Sequence, residues 1–455
     1  MVPDGEKAPS RSRSRRNPPP GTRPAETAGG DLERRVARVE FAEGALVRLR
    51  VPLAAPGAEP GRDVLTDIDV LSIDVDLRLR VSRTSSECKT SRGQSGEPNT
   101  LIWLAGFRQL LKLARVTFVR PSVSNRGRVL AKRLGVLVLD ENSLATREKA
   151  VQWVPERFGR VDGKESAAAE SRTDVQLRGL PDIPSSVAQF LRYESMLADS
   201  PALLAGVEAL GRGVRAQGGV PEPTNIVLAS HALVAVVFAS IQDASRLAEL
   251  SPRELRTRLE RALATGDPDD EHLLPLLERA DALFRYTVER VHRSYTDAGA
   301  EPVRTEVPSL RDAVAAPPDY LDDYLDLVER IRANPSVARD LLQTVDLACF
   351  DFLLGGSAWD SAAFGHLFSP EHKGLLLVAL RCLGRVAGVE VSDSLGKLRN
   401  LPTRGTSVPD RRGATAHLAA EGVLVAHGVS AISANTSPSR KDGEQTVLPG
   451  LEVGE

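Results

Sequence analysis

Two carboxylates and an amine recur at short range: Asp69 in Thr66-Asp67-Ile68-Asp69-Val70-Leu71, and Glu87 and Lys89 in Ser86-Glu87-Cys88-Lys89-Thr90. Two carboxylates are a minimal hard-oxygen site for Mg²⁺ (or Mn²⁺), an ion that keeps several waters and otherwise takes substrate phosphate. A lysine beside such an ion can orient or help deprotonate an attacking water and can stabilise charge growing on a phosphate. Taken singly, an Asp and a Glu-x-Lys read as solvated charges, because charged residues normally sit outside. What decides between the two readings is the set of elements that would carry them.

Both stretches alternate apolar and polar residues, as half-buried strands do. Side chains on a strand alternate between its faces, so Glu87 and Lys89 share one face, Cys88 points the other way toward a core, and Asp67 and Asp69 share a face. If the two strands pair, Asp69, Glu87 and Lys89 converge. Around them the spacing predicts a helix from about Leu32 to Glu43, capped by Asp31 and ended by Gly44. A first strand follows over Leu46–Leu53, then the second over about Val64–Asp74. Asp76–Arg83 continues or turns into the third strand, which ends at Thr90. Residues 91–99 carry Gly93, Gly96 and Pro98 and read as a loop leaving the site. A helix over about Thr100–Ala114 comes next, then a short strand (Val116–Val119), a helix (Ser122–Leu134) ended by Gly135, and a strand (Val136–Leu139). That strand–helix–strand order implies a right-handed crossover and parallel pairing.

This arrangement, over about residues 31–150, resembles the PD-(D/E)XK nuclease superfamily, particularly its restriction-endonuclease-like members. Asp69 matches the family's Asp on the second strand, and Glu87 and Lys89 match the Glu-x-Lys on the third. The literal Pro-Asp is absent and Thr66-Asp67-Ile68-Asp69 stands in its place. That leaves a choice between Asp67 and Asp69, with Asp69 preferred because Val70-Leu71 continue the strand after it. The resemblance implies an α/β restriction-endonuclease-like N-terminal domain with an αβββαβ core and a mixed sheet, followed here by an all-α C-terminal domain. It also implies a Mg²⁺-dependent endonuclease acting on DNA, with the metal on Asp69, Glu87 and the Cys88 backbone carbonyl, and service in anti-phage defence or DNA processing. Many members carry a helical Glu that reaches the metal or its waters; Glu33 is the best positional match and Glu40 the second.

Charge distribution points the same way. Residues 31–150 hold 21 Lys and Arg against 15 Asp and Glu, whereas residues 151–455 hold 32 against 43. A basic motif-bearing segment beside an acidic remainder fits nucleic-acid contact by the first part alone. Arg92 in the loop, and Arg108 and Lys112 one turn apart on a helix, are the candidate phosphate contacts. Trp103 is a candidate for stacking a base, or a core residue. Arg126, Arg128, Lys132 and Arg133 add positive charge.

Cys88, Cys349 and Cys382 lie far apart and at no metal spacing, which fits buried thiols in a reducing compartment. The histidines form no zinc pattern, and the opening residues lack the apolar core of a signal peptide. The apolar run from Ile226 to Ile241 reads as a buried helix rather than a membrane span. A cytoplasmic location is expected.

Residues 1–30 read as a disordered basic arm, 151–182 as a linker, 183–400 as a helical domain, and 401–455 as a mostly disordered tail. Within the helical domain, Ser251-Pro252-Arg253-Glu254 is a capping box, and Asn334-Pro335 and Ser369-Pro370 start helices. Tyr320, Tyr324, Leu327 and Ile331 are spaced for one buried face, as are Leu376, Leu380 and Leu383. The domain's role is open: DNA, an unidentified partner protein, or its own copy as a homodimer. Two further readings remain beside the DNA nuclease, namely an inactive nuclease-like module that binds nucleic acid or a partner, and a nuclease directed at RNA.

Overall fold

The computed structural model describes residues 28–54, 64–91, 96–151, 154–246, 249–266, 272–301, 309–310, 313 and 316–404. The expected basic arm up to residue 27 and the expected tail from residue 405 lie outside the described residues, as does Arg92.

The N-terminal part is a mixed five-stranded sheet with strands in chain order, β1 (Leu46–Ala54), β2 (Val64–Val75), β3 (Val81–Cys88), β4 (Arg115–Val119) and β5 (Leu137–Leu139). The first three are antiparallel; β3, β4 and β5 run parallel. Four helices accompany them: α1 (Ala28–Ala42), α2 (Glu97–Leu110), α3 (Asn125–Leu134) and α4 (Glu141–Ala150). The order is therefore helix, three strands, helix, strand, helix, strand, with the parallel crossovers made through α2 and α3.

Local chemistry sets most of the boundaries. Gly44, at φ 116°, ends α1, and the chain enters β1 through Ala45 and Leu46, both buried. The β2–β3 turn is made by Asp76, whose carboxylate accepts from the backbone N–H groups of Arg78 and Arg80. Ser124 caps α3 by accepting from Gly127 N–H, and Gly135 closes it in the left-handed region.

Several boundaries differ from expectation; helix α2 already begins at Glu97, inside the stretch expected as a loop. The first helix starts at Ala28, so Asp31 lies inside its first turn and pairs with Arg34 instead of capping it. Helix α2 ends at Leu110, short of the expected Ala114. Lys112 takes the left-handed position at φ 51°, Leu113 N–H bonds to the Arg108 carbonyl, and the buried Leu113 side chain seals the end, a Schellman stop without glycine.

The stretch expected as a linker instead carries a helix, α5 (Lys164–Gln176), preceded by the buried Phe158 and Val161. Its Ala-rich, Lys/Glu-flanked sequence has high helix propensity, and that outweighs the scattered glycines on which the linker expectation rested. Beyond it the regular elements of the described residues are all helices, as far as Asn400. The Thr224–Arg246 helix, apolar and long enough to cross a membrane by composition, has 94% of its most apolar stretch buried inside the fold and is the core helix of this region. The capping box at Ser251 and Glu254 forms, and Ser369 caps the Pro370–Val386 helix. Asn334 makes no side-chain cap, and the helix it precedes is a single turn.

The helical region packs directly on the sheet, and the described residues between 28 and 404 fall in one compact unit. Gln343 Nε2 donates to the Phe41 and Ala45 carbonyls at 2.7 and 3.0 Å, satisfying the C-terminus of α1. Phe41, Phe158 and Phe364 meet edge-on with ring centres 4.7–5.6 Å apart. Arg48 on β1 and Asp346 form an ion pair at 2.8 Å with both side chains almost wholly buried.

Candidate functional site

The β2–β3 register decides where the motif residues lie. Val70 pairs with Ser86, so one step further along the ladder Asp69 stands across from Glu87. Residues directly opposite on paired strands share a face. Asp69 Oδ2 accepts a 2.8 Å hydrogen bond from Cys88 N–H, which ties the end of β2 to the Glu87-Cys88-Lys89 segment. Lys89 N–H in turn donates to the Val119 carbonyl at 2.9 Å, fixing that segment to β4. The Lys89 ammonium pairs with Glu87; the Lys89 side chain is 45% exposed and that of Glu87 12%. Cys88 points into the core as its parity requires, and all three cysteines are buried free thiols.

The electrostatics follow from crowding acids into a half-buried place. Burial pushes the Asp69 carboxyl up, opposed by the Cys88 N–H and by Lys89 and Arg50. Burial also raises Glu87, with Asp69 adding to it and Lys89 opposing. Burial alone would lower Lys89, but Glu87 more than offsets it and the ammonium is held above its ordinary range.

Asp67, on the same strand face as Asp69, has a raised pKa, chiefly from burial, and its Oδ1 is buried without a hydrogen-bond partner. A buried carboxylate oxygen left in that state is the kind of group a cation would satisfy. Asp69, Glu87 and the Cys88 carbonyl are all hard oxygen donors, as Mg²⁺ prefers, and one or two carboxylates with waters suffice for it. The donor chemistry therefore fits the ion. Among the described residues, no three His, Cys, Asp or Glu side chains converge to hold a metal between them.

Glu33 is the residue whose surroundings differ most from expectation. It is buried on α1, and both its oxygens are taken by Arg50, Nε at 2.9 Å and Nη2 at 3.1 Å. Arg50 lies on β1 between the Leu49–Val70 and Val51–Ile68 pairs, opposite Asp69, with its backbone in the left-handed region at φ 50°. Its charge also acts on Asp67 and Asp69. The sequence reading missed Arg50. Its signal was weak, a basic residue at a strand position whose parity would otherwise send it with Arg48. Glu40, the second choice, pairs with Arg147 at 2.8 Å.

Of the candidate phosphate contacts, Arg92 lies outside the described residues. Arg108 donates to the Gly135 carbonyl at 3.3 Å, and Lys112 lies past the helix end, exposed. Trp103 is 41% exposed and stacked on Phe107 at 4.7 Å. No protein-family model, curated protein or solved structure matches this chain.

Proposed function

We propose that the chain is a Mg²⁺-dependent endonuclease acting on DNA, with an N-terminal part similar to the PD-(D/E)XK nucleases. The observation that carries the reading is that Asp69 accepts from the Cys88 N–H, next to Glu87, while Lys89, just past the strand, pairs with Glu87. The order helix, three strands, helix, strand supports it.

Asp69, Glu87 and the Cys88 carbonyl would hold the ion. Bound there, Mg²⁺ would supply Lewis-acid polarisation of the scissile phosphate and of a water. Lys89, at the open side of the site, hydrogen-bonds the attacking water and faces charge gathering on the phosphoryl oxygens. Water oxygen bonds to phosphorus as the phosphorus–oxygen bond to the leaving strand breaks, and a proton passes to that strand's oxygen. Cutting both strands with one centre per chain calls for two copies, and the helical region is where we place a second copy or a partner protein. Location in the cytoplasm and a role in defence belong to the same reading.

Plasmid cleavage and gel retardation with wild type and Glu87→Ala test it. The expected result is nicking by wild type alone, with DNA binding kept by both. Equal behaviour of the two proteins in both assays would favour the inactive binding module. Cleavage of a matched RNA strand in preference to DNA would change the substrate and keep the chemistry.

A further inference from the structure

We infer that Arg50 supplies, as a fixed guanidinium, the positive charge that a second metal ion would otherwise bring, so that the centre takes a single divalent cation. This rests on the nuclease reading above and deepens it.

Three observations carry the inference. First, Glu33 is committed: Arg50 binds both of its oxygens, and the Glu33 side chain is only 5% exposed. Recruiting Glu33 to a metal would break a bidentate pair whose acid has almost no water to replace its partner, which is costly. Second, Arg50 serves three carboxylates, touching Glu33 and acting electrostatically on Asp69 and Asp67. Arg34 also acts on Glu33 but is itself paired with Asp31 and Asp162; the remaining local charges are four acids (Glu33, Asp67, Asp69 and Glu87) against Arg50 and Lys89, a surplus of two negatives that one divalent ion cancels. A second ion would leave the pocket two charges positive. Third, Arg50 holds a left-handed backbone conformation that a residue with a side chain adopts at a cost of about 1 kcal/mol, and it does so at the β1 position facing Asp69. Strain of this kind persists where surroundings over-determine a functional placement. Here it turns the guanidinium toward α1 and the acids, whereas Arg48 two residues earlier is buried against Asp346.

Mn²⁺ titration of the full chain, followed by the electron paramagnetic resonance of free Mn²⁺, reads the stoichiometry directly. Wild type is expected to bind one Mn²⁺ per chain, and Glu87→Ala to lose it. Arg50→Ala, which releases Glu33, is expected to bind two, and Arg50→Lys to return the count to one. Should Arg50→Ala fail to fold by circular dichroism, Glu33→Gln gives the answer: it keeps one Mn²⁺ with less than about a threefold change in affinity, whereas loss of a true ligand or of its direct support costs tenfold or more. Two Mn²⁺ on wild type, one on a folded Arg50→Ala, or a tenfold loss with Glu33→Gln would each overturn the inference while leaving the nuclease reading intact. No Mn²⁺ on folded wild type would overturn both.

Discussion

At the scale of single residues, Asp67 and Asp69 of β2 are distinguished by what they touch. Asp69 takes the Cys88 N–H and faces Glu87, whereas Asp67 Oδ1 has no hydrogen-bond partner. Asp69→Asn is therefore expected to lose metal-dependent cleavage by at least about a hundredfold; initial nicking rates of this variant and of wild type measure the loss. The spacing of Asp69, Glu87 and Lys89 was legible because strand parity is a local rule. Arg50 was not legible, since its importance comes from a side-chain partner, Glu33, on a different element and from a backbone angle that no composition signals.

A different aspartate, further along β2, makes a pH prediction. Burial first, then Glu40 and Glu43, push Asp74 from 3.8 up to about 6. A carboxyl raised in the folded chain stabilises it while protonated, and that contribution is lost as pH rises through about 6. Asp74→Asn should be about 3 kcal/mol more stable than wild type at pH 8 and equal to it near pH 3. Urea unfolding at the two pH values measures the difference.

Among elements, α5 shows how local and distant information divide. Its helix was available from propensity alone. What it buries was not: Glu170 accepts from Arg192 at 2.5–2.8 Å, pairs with Arg160 and meets His231 Nε2 at 2.8 Å. Burial pushes His231 down to about 3, so the ring is neutral, and the arginines hold Glu170 well below the usual carboxylate range. No residue in that cluster is conspicuous in the sequence, because the partners lie 10 to 61 positions apart. The Arg48–Asp346 pair, joining β1 to the helical region, obeys the same physics. Arg48→Ala should cost about 3–5 kcal/mol by stranding a buried carboxylate, whereas Arg48→Met with Asp346→Leu should be near neutral or stabilising. Chemical denaturation of the three chains checks this; equal loss in single and double variants would contradict it.

Taken as a molecule, the chain departs from the two separate bodies its sequence suggested, because the joining surfaces are apolar faces that read equally well as two cores. Phe41, Phe158 and Phe364 lie in three different stretches yet form one cluster. Cooperative unfolding is the expected consequence. Chains carrying Trp103 alone, on the sheet side, or Trp359 alone, on the helical side, should lose fluorescence at the same urea midpoint, and separated midpoints would show that the two parts melt independently.

The central claim is that Asp69, Glu87 and Lys89 form a centre that cleaves phosphodiesters with one divalent ion. Incubation of supercoiled plasmid with Mg²⁺ tests it most directly, with EDTA and Lys89→Ala run in parallel. Nicked or linear product is expected from wild type with Mg²⁺, and intact supercoiled plasmid in the other two reactions. Cleavage that persists in EDTA or in folded Lys89→Ala would contradict it.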